Sequence, residues 1–372
     1  MIKVLELIDG GFIGGGQTHI ISLCRNLDKN MFSPVIAANP DGDFRILAKK
    51  EGLEFESITL PKIFRKKHLK RLAELVNIVK PVIIHAHGGV AGMYARFLKR
   101  ENGGIKVVYT LHGIHYIRSK NFARKFISHA IEQYLVGDCD AYICVSNDDV
   151  KTAIESKIVR KELVHLIPNG INISRFKNGQ TDRNLKARLG IKESDFVIGN
   201  ISRFDEQKNQ MLLINAFPEI LKLIPDAKLL LIGDGLLYDS CLNRAEKLKI
   251  ADNIIFAGSI PDPENYYPLM DMFVFPSKWE GLSITLIEAM ASGKCIAASN
   301  IPSNRELITD KQNGVFFTLG SSRALAGIIS ELFKDAELRK NLSLNAQKSA
   351  ENYNEKIMAG KIASVYITLT EG

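Results

Sequence analysis

Two doubly wound, Rossmann-like α/β domains facing one another across a cleft are the fold class this sequence predicts, and three observations predict it. The chain has 372 residues, more than the roughly 250–300 at which a single hydrophobic core stops growing. Short, nearly all-apolar runs alternate with stretches of helical period, the pattern of parallel strands covered by helices on both faces. A polar stretch, Lys177-Asn178-Gly179-Gln180-Thr181-Asp182-Arg183-Asn184, interrupts that alternation, which then starts again.

The first series of expected strands is Val4–Ile8, Pro34–Ala38, Val82–His85, Val107–Leu111, Ala141–Val145 and Leu163–Ile167. Between them, Leu69, Leu72, Ala73, Val76 and Val79 form one helical stripe that ends before Pro81. The second series is Phe196–Ile201, Lys228–Ile232, Ile254–Phe256, Met272–Phe275, Cys295–Ala298 and Val315–Phe317. The expected division is an N-terminal domain over 1–176, a C-terminal domain over 185–350, and a closing helix over 351–372 that packs back on the first domain. Residues 177–184 are the expected linker.

Composition narrows the class. With 46% hydrophobic, 24% charged and 8% aromatic residues, the chain is globular rather than disordered or fibrous. Cys24, Cys139, Cys144, Cys241 and Cys295 form no C-x-x-C pair, and their odd number argues against a disulfide framework or a zinc site. Reduced, buried cysteines in a cytoplasmic protein are expected. Glu6 interrupts the first apolar run, so no signal peptide is expected. No run reaches the 18 or so apolar residues of a membrane span, which leaves only peripheral membrane contact. The net charge of +8 is unevenly spread: residues 1–180 hold 27 basic and 17 acidic residues, and the rest hold 22 and 24.

Ligands of such sheets bind at the carboxyl ends of strands. After the first strand comes Gly10-Gly11-Phe12-Ile13-Gly14-Gly15-Gly16 and a helical stretch, a setting in which backbone amides can approach a phosphate. It is not the dinucleotide fingerprint, because His19 stands where a third glycine would be needed. His85, His87 and His112 close strands; each alone is most simply a satisfied polar residue. A metal triad of the three has no H-E-x-x-H helix and no obvious carboxylate partner. The sequences Asp41-Gly42-Asp43 and Asp138-Cys139-Asp140 lie in turn contexts and are read as structural.

In the second half, Arg203 and Lys208 share the loop after a strand, where two cations can clamp a diphosphate, or Arg203 can instead pair with Asp205 or Glu206. Further on, Glu280 lies in a loop and a helix opens near Ser283, with Thr285 and Glu288 spaced as a capping box. Amides at that helix start suit a diphosphate, and carboxylates on either side suit sugar hydroxyls. Glu288 is a charge among Ile284, Leu286, Ile287, Ala289 and Met290, so it needs a partner.

This constellation resembles the retaining glycosyltransferases of family 4, of GT-B fold, over essentially the whole chain. The residues that carry the resemblance are the glycine loop, Thr110-Leu111-His112-Gly113, Val145-Ser146, Ile167-Pro168-Asn169-Gly170-Ile171-Asn172, Arg203 with Lys208, Gly233-Asp234-Gly235, and Glu280 with Glu288 in an E-x7-E motif. The resemblance implies that Gly15 and Gly16 approach the donor phosphates and that Arg203 and Lys208 neutralise them. It implies that Glu288 holds ribose hydroxyls and that Glu280, with the amides of Gly281, Leu282 and Ser283, contacts the transferred sugar. His112 would reach that sugar from the other domain, and Gly258 and Ile260 would border the base. No metal and no cofactor is implied, and the anomeric configuration is kept. Gln17 stands where the family often has a carboxylate.

The implied partners are a nucleotide-sugar donor, UDP-linked more readily than GDP-linked, and a glycan or lipid-linked acceptor. Lys62, Arg65, Lys66, Lys67, Lys70 and Arg71 form an acid-free basic cluster that suits an anionic membrane surface, or simply a solvated face. Nucleic acid is not expected, because no known nucleic-acid-binding motif appears. A cytoplasmic enzyme, peripheral on the inner membrane face, is the expectation. An epimerase of the same fold, a GDP-mannose-dependent mannosyltransferase and a non-catalytic nucleotide-sugar-binding subunit are the rivals.

Overall fold

The computed structural model describes residues 1–114, 117 and 121–371. They form two compact units, Met1–Ile171 with Glu355–Gly372, and Asn172–Asn354. The chain therefore leaves the first unit after Ile171, ahead of the expected boundary at 176. The expected linker 177–184 is no linker: it lies inside the second unit and overlaps two helices, Ile173–Lys177 and Arg183–Arg188. Asp182 caps the latter, its carboxylate accepting from the Asn184 and Leu185 amides, so the polar composition reflects helix ends rather than a tether.

In chain order the first unit contains β1 (Ile2–Ile8), α1 (Gly15–Asn26), β2 (Phe32–Ala38), α2 (Phe44–Lys50), β3 (Glu54–Ser57), α3 (Lys66–Val79), β4 (Ile83–His87), α4 (Gly88–Asn102), β5 (Lys106–Leu111), α5 (Phe122–Tyr134), β6 (Ala141–Cys144), α6 (Asn147–Glu155) and β7 (Val164–Leu166). The second contains α7 (Ile173–Lys177), α8 (Arg183–Arg188), β8 (Phe196–Ile201), α9 (Gln210–Leu223), β9 (Ala227–Ile232), α10 (Tyr238–Lys247), β10 (Ile254–Phe256), β11 (Met272–Phe275), α11 (Ile284–Ala291), β12 (Cys295–Ser299), α12 (Pro302–Leu307), β13 (Val315–Phe317), α13 (Ser322–Lys334) and α14 (Ala336–Ala350). The chain then returns to the first unit as α15 (Glu355–Glu371), whose Met358, Ala359, Ile362, Val365 and Tyr366 pack against Val4, Ile83, Val108 and Ile143 of the sheet. Gly372 lies outside the described residues.

Each unit has one parallel sheet, ordered β3-β2-β1-β4-β5-β6-β7 and β10-β9-β8-β11-β12-β13. In both, the order reverses direction beside the first strand of the unit, so the gap between β1 and β4, and that between β8 and β11, is the crevice where such sheets hold ligands. The strands are apolar because both faces are covered; Leu5, Leu7, Leu229 and Leu231 are completely buried. At about 1.5–3 kcal/mol for each such side chain, the two sheets hold the units together. All five cysteines are buried and free.

Candidate functional site

In the first unit, parallel register places the site. Glu6 pairs with His85, Ile8 with His87, and His87 with Thr110 across β1, β4 and β5. Alternate side chains on neighbouring strands share a face, so Glu6, His85 and His87 meet although 79 or more residues separate Glu6 from either histidine in sequence. Glu6, His85, His87 and His19 are completely buried. Tyr366 of α15 donates its hydroxyl to Glu6 Oε1 at 2.9 Å, and His87 Nε2 lies 2.8 Å from Glu6 Oε2. His87 Nδ1 is 3.1 Å from Nε2 of His112, which follows β5 and is half-buried.

The carboxylate that the sequence reading found lacking near the histidines is thus Glu6. Burial pushes its proton affinity up, but His85 and His87 outweigh that and hold it well below the usual carboxylate range. Burial, reinforced by His85, pushes His87 down to about 4 against the pull of Glu6. His19, whose Nδ1 is 3.0 Å from Asn169 Oδ1, is pushed by burial to about 3. At neutral pH both rings are neutral.

Gly15 and Gly16 open α1, with Gly14 at its N-cap. A Cβ on Gly16 would sit 3.0 Å from Ile8 and 3.8 Å from the His112 ring, which shows how closely the loops after β1 and β5 approach. Gln17 donates back to the Gly10 carbonyl at 3.1 Å and so closes the glycine loop. In the two D-x-D sequences, Asp43 accepts from the Ile13 amide, Asp140 pairs with Lys99, and Asp138 pairs with Arg100.

In the second unit the loops after β8 and β11 are tied together. Lys278 donates its amide to the Gln207 carbonyl at 2.8 Å, and Gln207 Nε2 donates to the Trp279 carbonyl at 3.0 Å and to Glu280 at 3.1 Å. Lys208 Nζ lies 2.6 Å from the buried Glu280 carboxylate and 5.5 Å from the centre of the Phe275 ring. Arg203 instead pairs with Asp205 at 2.6 Å, one of the two alternatives left open by the sequence, and its side chain is exposed. Gly233 and Gly235 have positive φ, and a Cβ there would meet the Ser202 and Phe204 carbonyl oxygens at 2.2 and 2.5 Å. Only glycine lets this turn lie against the loop that carries Arg203. Gly258, also at positive φ, accepts from the Gly233 amide at 2.8 Å, and Ile260 follows it, half-buried.

Gly281, Leu282 and Ser283 are buried at the entry to α11. Ser283 is the N-cap and accepts from the Leu286 amide. This corrects the capping-box expectation: Thr285 and Glu288 are inside the helix, and Glu288 accepts from the Tyr267 hydroxyl at 3.0 Å. Burial raises Glu288 to about 7, an effect that Tyr267 and Arg175 only partly offset. Arg175 itself is clamped by Glu264 at 2.7 and 2.8 Å. Lys62, Arg65, Lys66, Lys67, Lys70 and Arg71 are all exposed; the last four lie in the first two turns of α3 and Arg65 is its N-cap.

Two family models divide the chain between them. The one described as Glycosyltransferase Family 4 matches residues 13–175, and the one described as Glycosyl transferases group 1 matches 181–349. The chain belongs to glycosyltransferase family 4. Among curated proteins it is similar to the putative glycosyltransferase EpsD of Bacillus subtilis, 28% identical over 80% of this chain and 79% of that one. It is likewise similar to the UDP-Gal:alpha-D-GlcNAc-diphosphoundecaprenol alpha-1,3-galactosyltransferase of Escherichia coli, 27% identical over 82% and 80%. Its two α/β units match GT-B glycosyltransferase structures, among them Anabaena HepE in complex with UDP-glucose, with a TM-score of 0.85 and 22% identity over 99% of this chain and 100% of that one.

Within this family-4 glycosyltransferase, sequence reasoning missed Glu6, His19 and Tyr366 in the first unit and Gln207, Tyr267 and Arg175 in the second. One signal was available: Glu6 is the single acid inside the first apolar run.

Proposed function

We infer that this glycosyltransferase moves a hexose or N-acetylhexosamine from a nucleotide-sugar, UDP-linked in preference to GDP-linked, to a glycan or lipid-linked acceptor, with retention and without a metal. The observation that carries the reading is the second unit's crevice, where Lys208, Glu280 and the Ser283-capped start of α11 converge, with Glu288 buried in the same helix. Charge that develops on a departing diphosphate needs cations and helix amides already in place. Lys208 supplies one cation inside the crevice, and Arg203, exposed, is free to swing from Asp205 to the phosphates. When the diphosphate takes Lys208, Glu280 is released to accept from hydroxyls of the transferred sugar. Glu288, as carboxylate, accepts from the ribose.

The D-x-D carboxylates Asp43, Asp138 and Asp140 are engaged by an amide or a cation, which supports the metal-free reading. The name of the E. coli relative, with its UDP-galactose donor and diphosphoundecaprenol acceptor, supports a UDP-sugar and a lipid-linked acceptor for this chain. Two surfaces of the first unit support a membrane-facing acceptor side at the inner face of the membrane. One is the exposed basic cluster at the start of α3, where cations oppose the helix dipole and so stand at a local cost. The other is α5, which exposes Phe122, Phe126 and Ile127 beside Arg124 and Lys125. No helix among the described residues is long and apolar enough to cross a membrane.

Transfer from UDP- and GDP-sugars to undecaprenyl-diphosphate-linked and free glycan acceptors tests the reading. A product that keeps the donor's anomeric configuration, formed equally with and without EDTA, is expected; donor turnover without acceptor would establish the epimerase instead. Arg203→Ala should weaken donor binding about tenfold or more, as loss of a charged hydrogen bond does. Flotation with anionic liposomes, and its loss in Phe122→Ser/Phe126→Ser or in Lys67→Glu/Lys70→Glu, checks the membrane face.

A further inference from the structure

Between the loops after β8 and β11 stands one more residue with a bearing on transfer, Gln207, and its role rests on the reading of Glu280 as a contact of the transferred sugar. Glu280 is buried, and its two oxygens have different partners. Oε1 lies 2.6 Å from Lys208 Nζ, and Oε2 accepts from Gln207 Nε2 at 3.1 Å. In the proposed function the departing diphosphate takes Lys208. Among the described residues, Gln207 is then the one side chain still holding Glu280. A buried carboxylate whose cation leaves needs such a donor.

The orientation of the Gln207 amide is dictated by its surroundings. Nε2 carries two protons; one is directed at the Trp279 carbonyl, 3.0 Å away, and the other at Glu280. Turned over, the amide would set its oxygen against two acceptors, the Trp279 carbonyl and Glu280 Oε2, and lose both bonds. The backbone of Gln207 is fastened as well, since its carbonyl accepts from the Lys278 amide at 2.8 Å. Its neighbours are tied on both sides. Asp205 Oδ1 accepts from the Lys208 amide at 2.9 Å, and Asn209, at φ 58°, donates its side-chain amide to the Pro276 carbonyl at 3.2 Å.

The two holds on Glu280 therefore differ in kind. Lys208 is a point charge on a flexible stem, able to turn to a stronger anion. Gln207 is neutral, half-buried and tied through its carbonyl and both amide protons. We propose that Gln207 is a positioning residue for sugar transfer: it keeps Glu280 Oε2 when Lys208 turns to the diphosphate, so that Oε1 is offered to a hydroxyl of the transferred sugar in one orientation. The consequence is selectivity. A carboxylate held at one oxygen presents the other at a fixed point, and an epimer that places its hydroxyl elsewhere loses the bond. A carboxylate free to rotate would follow either epimer.

The test compares the full-length wild type with Gln207→Met, which keeps the length and removes both donors, and with Gln207→Glu, which puts an acceptor where the donor stood. Each is assayed for binding of UDP and GDP alone and of UDP-glucose, UDP-galactose, UDP-N-acetylglucosamine, UDP-N-acetylgalactosamine, GDP-glucose and GDP-mannose. Transfer from the same donors to an undecaprenyl-diphosphate-linked acceptor is measured alongside. Both variants should lower kcat for the preferred sugar roughly 10- to 100-fold, the size of a lost hydrogen bond to a charged group. They should narrow the preference between sugars on one nucleotide, in affinity and in kcat alike, while affinity for the nucleotide alone stays as in the wild type. Asn209→Gly suits the positive-φ backbone and cuts only the tie to Pro276. It should lower the melting temperature and leave kcat and the sugar preference unchanged.

A Gln207→Met enzyme with the wild-type sugar preference overturns the proposal. So does a loss of affinity for the nucleotide alone that matches the loss of kcat, because the loop would then serve the nucleotide. An Asn209→Gly enzyme as impaired as Gln207→Met overturns it too, because any tie between the two loops would then suffice. A wild type that neither binds nor transfers any of these nucleotide-sugars overturns the functional reading itself, and the proposal falls with it.

Discussion

Glu6 and Glu288 are both buried glutamates beside a tyrosine hydroxyl, one in each unit, and they differ in charge. Glu6 has His85, His87 and Tyr366 against its two oxygens, and imidazoles hold it ionised. Glu288 has Tyr267 and a more distant Arg175 that is already clamped by Glu264, so burial prevails and its carboxyl rises to about 7. Burial alone decides neither state; the number and charge of the partners do. The contrast fits the proposed function: Glu6 is a fixed element of framework polarity, whereas Glu288, if it holds the ribose as proposed, gives up its proton on donor binding.

The largest expected break in that contrast is Glu6→Ala. It leaves the His87 Nε2–H and the Tyr366 hydroxyl without their acceptor in a closed interior, which should cost about 1–3 kcal/mol for each unsatisfied donor and appear as a lower thermal midpoint. Because Glu6 holds its proton less tightly folded than unfolded, its stabilisation is present above the ordinary carboxylate pKa and is lost as pH falls below that value. Wild type and variant should therefore converge in stability on acidification; a constant gap down to pH 3 would refute the ionised state.

Glu288→Gln comes next. It keeps the shape and an acceptor but not the charge, and should weaken donor affinity by about 1.5–3 kcal/mol, the worth of a hydrogen bond to a charged group. A carboxyl with a raised folded pKa favours folding at low pH, so Glu288's contribution fades as pH climbs from the ordinary carboxylate value of 4.5 toward about 7. Glu288→Gln should remove that slope. Donor binding near pH 6.5 should also release a fraction of a proton, seen by calorimetry in two buffers of different ionisation enthalpy. No release in the wild type would mean that Glu288 is already ionised.

The same two residues mark what a linear sequence conveys. Glu288 could be singled out because its signal is local: a charge in an apolar helical run, eight residues after another glutamate. Glu6 sits in an equally apolar run, yet its meaning depends on partners from β4 and α15 that only strand register and the returning helix bring to it. The parallel strands were legible for the same reason as Glu288, each being a short apolar run. β3 was not, since Glu54-Phe55-Glu56-Ser57 is an edge strand with only half its residues sheltered. The linker was misplaced because helix caps and tethers share a polar composition.

The smallest effect separates two causes for Glu288's proton affinity. α11 begins after Ser283, whose hydroxyl accepts from the Leu286 amide, and Glu288 lies in the second turn. The helix dipole acts mainly within the first turn, so if burial and Tyr267 set the pKa, loosening the helix start should leave it alone. Ser283→Ala is expected to cost about 1 kcal/mol, the usual worth of a serine cap, with the pH midpoint of donor-linked proton release unmoved. Tyr267→Phe should do the reverse: the hydroxyl that favours the carboxylate is gone, so the midpoint should move above the wild-type value of about 7. If Ser283→Ala shifts the midpoint and Tyr267→Phe does not, the amides at the helix start, rather than the buried pocket, govern Glu288.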